Sequence, residues 1–266
     1  MILFPPAKIN LGLNILRKRD DGYHEIDTCM MDFDLTDVLE LLPASELKFH
    51  QSGLTVDSPS DDNLCVRAYR LMEERFNIPP VYMHLRKNIP MGAGLGGGSA
   101  DAAYVVRGLN ELNKLGLSSE EMAMITAELG SDCPFFIKGG FQIAKGRGEV
   151  LSKIDINLSG YFLKVINPGI HVGTAEAYAG VVPNDQSESV ASILDLPIEH
   201  WRDSLKNDFE ISVFDQYPQL KEMKNTFYKE GAVYAAMSGS GSTMFGLYTQ
   251  MPDLTHTDQF QRVIAL

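Results

Sequence analysis

The residues best suited to chemistry in this chain form a glycine-rich segment that ends at the start of a predicted helix. Five glycines fall within seven positions, from Gly92 to Gly98, and Ser99 follows them. Glycine lets the backbone turn its N–H groups toward a ligand and lets a bulky group approach closely. A helix beginning near Ser99 adds unpaired N–H groups and the positive end of its dipole. Together these features predict an anion cradle, and the usual anion in such cradles is phosphate.

Two common phosphate-binding motifs do not account for this segment. A Walker loop ends in Gly-Lys-Ser or Gly-Lys-Thr, whereas Gly98 is followed directly by Ser99. Residues 92–97 do satisfy the Gly-x-Gly-x-x-Gly dinucleotide fingerprint. That fingerprint requires a second strand and an acid about 20 residues later, but the sequence there continues as a helix, and Ser118 begins another. We therefore interpret the segment as a nucleotide-phosphate loop of a different type.

Two charged residues stand where phosphoryl transfer could use them, since this reaction needs a cation and a group that receives the acceptor's proton. Lys8 interrupts an apolar strand, and alternation places it with Asn10 on the face opposite Ile9; the alternative is an exposed strand face. Asp132 lies between a helix stop and an apolar stretch, where the alternative is an aspartate that closes a turn. A lysine beside such a carboxylate would keep it ionised and able to accept a proton.

Two other polar segments allow more than one interpretation. Tyr23 and His24 follow a charged turn and could hold a planar or polar ligand, although such a pair on a surface often has no function. Residues 238–242 read Ser-Gly-Ser-Gly-Ser between two predicted strands. This 238–242 loop is either a second anion site or a tight connection between strands.

Alternation and capping signals predict the elements that position these residues. Strands are predicted over 7–16, 26–35, 38–42, 81–85, 141–144, 161–166, 232–237 and 244–248. One helix begins at a cap, Asp62 or Asn63, and ends near Phe76. Further helices are predicted from the end of the glycine segment to 115, from a capping box at Ser118 to Leu129, and within 211–214 and 220–230. Strands and helices without strict βαβ order indicate an α+β fold.

The composition is that of an ordinary globular protein, and 266 residues fit two domains. The 23 Lys and Arg against 35 Asp and Glu give a net charge of −12, which argues against broad binding to nucleic acid or anionic membranes. Three scattered cysteines without metal-ligand spacing favour a reduced, cytoplasmic compartment. We expect neither a signal peptide nor a membrane span, because no basic region or long apolar run opens the chain.

Several segments occur in an order that resembles a known superfamily. Pro6-Ala7-Lys8-Ile9-Asn10-Leu11, the glycine-rich segment and the 238–242 loop resemble the three signature motifs of the GHMP kinases. Residues 21–25 (Asp-Gly-Tyr-His-Glu), 94–103, 130–136 and 167–169 narrow the resemblance to the kinases that act on 4-diphosphocytidyl-2-C-methyl-D-erythritol. It extends over nearly the whole chain and is weakest from about 181 to 201 and at the C-terminus.

The resemblance implies an α+β, two-domain GHMP kinase fold, with an N-terminal ATP-binding domain of the ribosomal-protein-S5-domain-2-like type over 1–153. A ferredoxin-like domain would follow over 154–266. The implied activity is ATP-dependent phosphorylation of the substrate's 2-hydroxyl in the non-mevalonate pathway to isoprenoid precursors, with Mg²⁺ held largely by ATP and water. The partners implied are small molecules, and the oligomeric state stays open. The alternatives are a kinase acting on homoserine, mevalonate or a sugar, and a non-catalytic nucleotide-binding relative.

The resemblance also implies a role for individual residues. Asp132 matches the catalytic base, and Lys8 matches the lysine next to it. The implied substrate residues are Asn10, Tyr23, His24, Thr174 and Tyr178, with His24 bonded to the cytosine and the two tyrosines stacked on it. The implied ATP residues are Asn63 and Lys87 at the adenine, and Pro90, Met91, Gly92, Ala93, Gly94, Leu95, Gly96, Gly97, Gly98 and Ser99 at the phosphates.

Three positions depart from the family pattern. Ala100 replaces a usual second hydroxyl after Ser99, which weakens any role for two hydroxyls at phosphate or metal. Cys133 replaces a β-branched residue, and Tyr178 replaces a phenylalanine found in some members. None of these changes removes a catalytic group, and Tyr178 preserves a stacking ring.

Overall fold

The computed structural model describes residues 1–54, 63–254 and 259–266. The backbone divides into two compact units, each assembled from separate stretches of chain. Unit 1 contains Met1–Lys8, Asp34–Met91 and Gly96–Gly139, and unit 2 contains Ile9–Phe33, Gly92–Leu95 and Gly140–Leu266. The predicted division between residues 153 and 154 concerns the two family domains and stays a prediction.

Runs of strands and runs of helices follow one another along the chain without strict alternation, as the α+β prediction requires. The strands are β1 (Ile2–Leu3), β2 (Pro6–Lys18), β3 (His24–Thr36), β4 (Val38–Pro43), β5 (Lys48–Gly53), β6 (Val81–Lys87), β7 (Phe141–Gly146), β8 (Val150–Lys153), β9 (Phe162–Asn167), β10 (Tyr234–Met237), β11 (Met244–Tyr248) and β12 (Phe260–Ala265). The α-helices are α1 (Leu64–Phe76), α2 (Gly97–Leu112), α3 (Ser119–Ala127), α4 (Phe135–Lys138), α5 (Thr174–Ala179), α6 (Val190–Leu194), α7 (Trp201–Ser204), α8 (Phe209–Gln216) and α9 (Pro218–Lys229). A 3-10 turn at Ile198–His200 precedes α7.

Unit 1 contains a sheet of strand order β1-β4-β6-β5. β4 pairs antiparallel with β1 and β6, whereas β5 and β6 are parallel, so β5, α1 and β6 form a βαβ unit. Alternate residues of the sheet point into one core, where Leu41 and Met83 are completely buried. The same core receives the apolar sides of α1 and α2, including Tyr69 and Val106.

Local capping signals determine where the helices of unit 1 begin. The Asn63 side chain accepts a hydrogen bond from Cys65 N and caps α1; the other candidate, Asp62, lies outside the described residues. Ser118 and Glu121 form the predicted capping box of α3. Helix α2 begins at Gly97, two residues before the predicted Ser99, and ends at 112 rather than 115.

Unit 2 contains two four-stranded sheets, of order β2-β3-β7-β8 and β10-β11-β9-β12. In the second sheet every neighbouring pair is antiparallel, and the order is that of a ferredoxin-like sheet, as predicted. Its core side packs against α8 and α9 through Phe209, Leu220 and Phe227. In the part of the chain that is described, no helix is both long enough and apolar enough to span a lipid bilayer.

Candidate active site

The predicted site residues are distributed over both units, and each group is described within its own unit. Unit 1 holds Lys8, Asn63, Lys87, Pro90, Met91, Asp132 and residues 96–99. Unit 2 holds Asn10, Tyr23, His24, Gly92–Leu95, Thr174 and Tyr178. The glycine-rich segment therefore contributes residues to both units.

Lys8 and Asp132 lie together in unit 1. Strand β2 is buried on both faces from Ala7 to Ile15, so the interpretation of Lys8 as part of an exposed strand face is wrong. Lys8 Nζ is 3.3 Å from Asp132 Oδ2, and their side chains are 5% and 31% exposed. The ammonium therefore stabilises negative charge on a carboxylate that solvent and ligands can still reach, which is what a base for a hydroxyl proton requires.

The first turn of α2 packs directly against Lys8. A Cβ on Gly96, where φ is +69°, would lie 2.8 Å from Phe136 Cζ and 3.0 Å from Lys8 Cγ. Only glycine can occupy this left-handed position so close to other atoms. Gly96 is the N-cap of α2, and no side chain caps this helix end, which leaves the N–H groups of its first turn suited to an anion.

Cys133, one of the departures from the family pattern, has a structural role. Its side chain is completely buried and hydrogen-bonds with Ser99. Burial raises the pKa of the Cys133 thiol to about 12, so it stays protonated at neutral pH.

In unit 2 the 238–242 loop packs against the other part of the glycine-rich segment. Ser238 Oγ donates to Gly94 O over 2.8 Å, and Thr243 N donates to Ala93 O over 3.3 Å. The loop connects the antiparallel strands β10 and β11, so the tight-connection interpretation is correct for its ends. The Ser238 side chain also holds the glycine-rich segment, a role that the sequence alone did not predict.

Substitution of Gly94 by alanine is expected to lower the free energy of unfolding by about 2 kcal/mol or more. A Cβ at this position would lie 2.0 Å from Ser238 O, and Gly94 has φ of +77°. Chemical denaturation measures the effect. Gly98→Ala is the matched control for stability, because its Cβ would meet the nearest atoms at an ordinary 3.7 Å. Equal stability of the two variants would contradict the prediction.

His24 and Tyr178 are in direct contact in unit 2. Their rings stack with centroids 4.7 Å apart and planes inclined by 18°, and Phe209 meets Tyr178 edge-on at 4.8 Å. Burial, with the charge of Lys18 added, lowers the pKa of His24 below its ordinary value. The imidazole is therefore neutral at pH 7 and offers one donor and one acceptor.

The other predicted substrate residues are more scattered within unit 2. Tyr23 is 56% exposed, and the Arg147 guanidinium lies 4.9 Å over its ring. Thr174 is the first residue of α5. Asn10 is buried, and its Nδ2 donates to Thr28 Oγ1 over 3.1 Å.

Lys87 is enclosed by acids that sequence reasoning missed. Its Nζ donates to Asp101 Oδ2 over 2.6 Å and also to Asp37, and the lysine side chain is 1% exposed. The side chain is thus committed to these carboxylates, while a role at the adenine stays a prediction. A lysine within an apolar strand indicates that acidic partners lie nearby, because buried lysines are almost always paired. The sequence does not identify which acids these are.

No group of three or more His, Cys, Asp or Glu side chains is arranged to hold a metal ion among the residues that the structure describes.

Comparison with known proteins places these residues in a family context. Residues 63–140 match the family described as "GHMP kinases N terminal domain", and residues 195–264 match "GHMP kinases C terminal". A 4-diphosphocytidyl-2-C-methyl-D-erythritol kinase from Cytophaga hutchinsonii is 49% identical, covering 100% of this chain and 99% of its own length.

Solved structures agree with this assignment. The crystal structure of a 4-(cytidine 5'-diphospho)-2C-methyl-D-erythritol kinase matches with a TM-score of 0.80 and 35% identity, covering 93% of this chain and 90% of that one. A Methanococcus jannaschii mevalonate kinase matches with a TM-score of 0.73 over 100% of this chain and 98% of its own, but at 15% identity it shows the shared fold alone. The chain belongs to the 4-diphosphocytidyl-2-C-methyl-D-erythritol kinase family of the GHMP kinases.

Proposed function

We propose that this protein transfers the γ-phosphoryl group of ATP to the 2-hydroxyl of 4-diphosphocytidyl-2-C-methyl-D-erythritol, giving the 2-phosphate and ADP. This reaction belongs to the non-mevalonate pathway to isoprenoid precursors. The observation that carries the reaction type is the 3.3 Å contact between Lys8 Nζ and a partly exposed Asp132 carboxylate. The acceptor follows from the named activity of a relative that is 49% identical over the whole chain.

The proposed chemistry is a direct transfer. The 2-hydroxyl oxygen attacks the γ-phosphorus, the bond from that phosphorus to the β,γ-bridging oxygen breaks, and ADP leaves. Asp132 receives the hydroxyl proton, and Lys8 stabilises the carboxylate and the negative charge of the transferring group.

ATP enters this proposal as its magnesium complex, a substrate rather than a resident cofactor. Backbone N–H groups of residues 92–99 would bind the phosphates, with the uncapped first turn of α2 contributing its dipole. The described residues offer no acidic cluster for the ion, so phosphate oxygens and water would hold it. A cytoplasmic location belongs to the same proposal, supported by three cysteines that are all unpaired.

Recognition of the cytidine end is assigned to Tyr23, His24 and Tyr178. Aromatic stacking accepts any base, so the neutral imidazole of His24 would supply the polar contact that selects cytosine. The stacked arrangement of His24 on Tyr178 supports a site for planar groups in this part of unit 2.

Replacement of Tyr178 by alanine is expected to raise KM for the cytidine substrate by about 5- to 150-fold, since stacking of one base contributes roughly 1–3 kcal/mol. Tyr178→Phe keeps the ring and is expected to change this KM by less than about threefold. Steady-state kinetics with each substrate varied in turn measures both effects. KM for ATP should stay near the wild-type value, and an equal rise in both KM values would contradict the assignment.

The aromatic residues assigned to the cytidine end also distinguish this substrate from the alternatives, because homoserine, mevalonate and sugars contain no base to stack on Tyr178. The test is ADP release from Mg-ATP with the cytidine compound, homoserine, mevalonate and galactose offered in parallel. Turnover with the cytidine compound alone is the expected result. Turnover with another acceptor would refute the assigned substrate, and ATP binding without turnover would favour a non-catalytic relative.

A further inference from the structure

Asn207 lies two residues before α8, and its side chain hydrogen-bonds to the connection between β10 and β11 and to the first residue of α8. It is 2% exposed, and its Nδ2 donates to Met237 O and to Gly239 O, both over 2.8 Å. Its Oδ1 accepts from Phe209 N over 3.0 Å. Both protons and the oxygen of the amide therefore form hydrogen bonds. Breaking any of them in this buried site would leave a polar group without a partner, which costs free energy.

The two carbonyls that Asn207 binds belong to the beginning of the 238–242 loop. Met237 ends strand β10, and Gly239 is the second residue of the loop. Glu210 Oε1 also accepts from Met237 N over 2.8 Å. Side chains from one short segment thus determine where the loop leaves its strand.

The 238–242 loop in turn holds the glycine-rich segment. Ser238 Oγ donates to Gly94 O over 2.8 Å, and a Cβ added to Gly94 would lie 2.0 Å from Ser238 O. The backbone of Gly94 therefore lies directly against Ser238, with no room for a side chain between them. Asn207 thus bonds to the residues on either side of Ser238, and the Ser238 side chain bonds to Gly94.

We infer that Asn207 is a positioning residue for the nucleotide phosphates: it fixes the 238–242 loop, which supports the backbone of residues 93–94. It would tune the affinity for Mg-ATP and Mg-ADP through the loop rather than by contact with the nucleotide. This inference rests on the proposed function only in assigning residues 92–95 to phosphate binding.

Asn207→Asp is the most specific variant, because aspartate has nearly the same size and keeps an oxygen for Phe209 N. It replaces the donor nitrogen by an oxygen that faces two carbonyl oxygens. Calorimetric titration of the full-length protein with Mg-ADP should show a dissociation constant raised about tenfold or more, the size expected when buried hydrogen bonds are lost. The dissociation constant for cytidine diphosphate, which reports on the base pocket, should change by less than about twofold.

Asp208→Asn is the matched control in the adjacent position. Asp208 Oδ2 accepts from Ile15 N over 2.7 Å rather than from the loop, and asparagine retains an accepting oxygen. Both dissociation constants should match wild type in this control. Ser238→Ala provides a second test if Asn207→Asp does not fold, because it removes only the bond to Gly94 O and should weaken Mg-ADP binding several-fold.

The inference would be overturned by unchanged Mg-ADP affinity in Asn207→Asp or in Ser238→Ala. Equal weakening of Mg-ADP and cytidine diphosphate binding would also overturn it, since that result indicates general destabilisation. These titrations need no turnover. Failure of the proposed acceptor to react would therefore leave them interpretable.

Discussion

Asp132→Asn is expected to lower kcat by about a hundred- to ten-thousand-fold, the contribution typical of a positioned general base. Asparagine has the shape of aspartate but cannot take the hydroxyl proton, and it removes the negative charge that lies 3.3 Å from Lys8 Nζ in the wild-type protein. KM for ATP and for the cytidine substrate should change little, because the proposed role lies in the transition state.

Single-turnover and steady-state kinetics on the purified variant test this expectation. Asp34→Asn is the matched control, since Asp34 is an exposed acid of the same unit with no assigned role. Its kcat should equal the wild-type value. A kcat for Asp132→Asn within about tenfold of wild type would remove Asp132 from the role of base.

Lys87→Met is expected to cost roughly 3–5 kcal/mol of unfolding free energy, as is usual when one partner of a buried ion pair is removed. It would leave the buried Asp37 carboxylate without its cation and the buried Asp101 side chain without its hydrogen-bond donor. Burial by itself lowers the pKa of Lys87, but the two carboxylates outweigh it and the net pKa is raised. Urea denaturation at pH 7 measures the loss, and a cost below about 1 kcal/mol would show that the cluster contributes little.

Replacement by asparagine should change stability by different amounts at Asp37 and at Asp101. Asp37 Oδ1 accepts from Asn88 N and Ile89 N over 2.6 and 2.9 Å, and its Oδ2 accepts from Lys87, so both oxygens are hydrogen-bonded. Asp101 Oδ1 has no partner among the described residues, and burial, opposed by Lys87, raises the pKa of Asp101 to about 8. Asp37→Asn disturbs more hydrogen bonds than Asp101→Asn, and Asp101 holds its proton to a higher pH than a free aspartate, so Asp101→Asn should cost less stability than Asp37→Asn.

The sign of the pH dependence follows from the raised pKa of Asp101. In the unfolded chain this acid ionises near pH 4, at about its reference value, whereas in the folded protein it keeps its proton up to about pH 8. Its contribution to stability consequently falls as the pH rises from about 4 to about 8. Asp101→Asn has no carboxyl group to titrate at this position, so its free energy of unfolding should rise relative to that of the wild type between pH 6 and pH 8. A difference in unfolding free energy that does not change with pH would contradict the raised pKa of Asp101.

The parts of the fold that depend on neighbouring residues could be predicted from the sequence. The Asn63 cap and the Ser118–Glu121 capping box each involve residues two or three positions apart, and both are confirmed. The alternation in β2 placed Lys8 opposite Ile9, but it could not show that both faces are buried, because distant segments cover them.

The parts of the site that could not be predicted from the sequence depend on contacts between residues far apart in the chain. Ser238 and Gly94 are separated by 144 positions, and Lys87 is 50 positions from Asp37. Asn207 is a lone amide with no periodicity or cluster around it, so nothing local marks it. The composition of the 238–242 loop indicated a turn. Its contact with the glycine-rich segment, through Ser238 and Gly94, is visible only in the structure.

³¹P NMR of the product shows whether the phosphoryl group is transferred to the 2-hydroxyl of the cytidine compound. The carbon that carries this hydroxyl also carries the methyl group and has no hydrogen. The product should therefore show one new phosphomonoester signal without coupling to a proton on the esterified carbon, formed in step with ADP. A new signal split by such protons would place the phosphate on another hydroxyl, and the absence of any new signal with Mg-ATP present would contradict the proposed function.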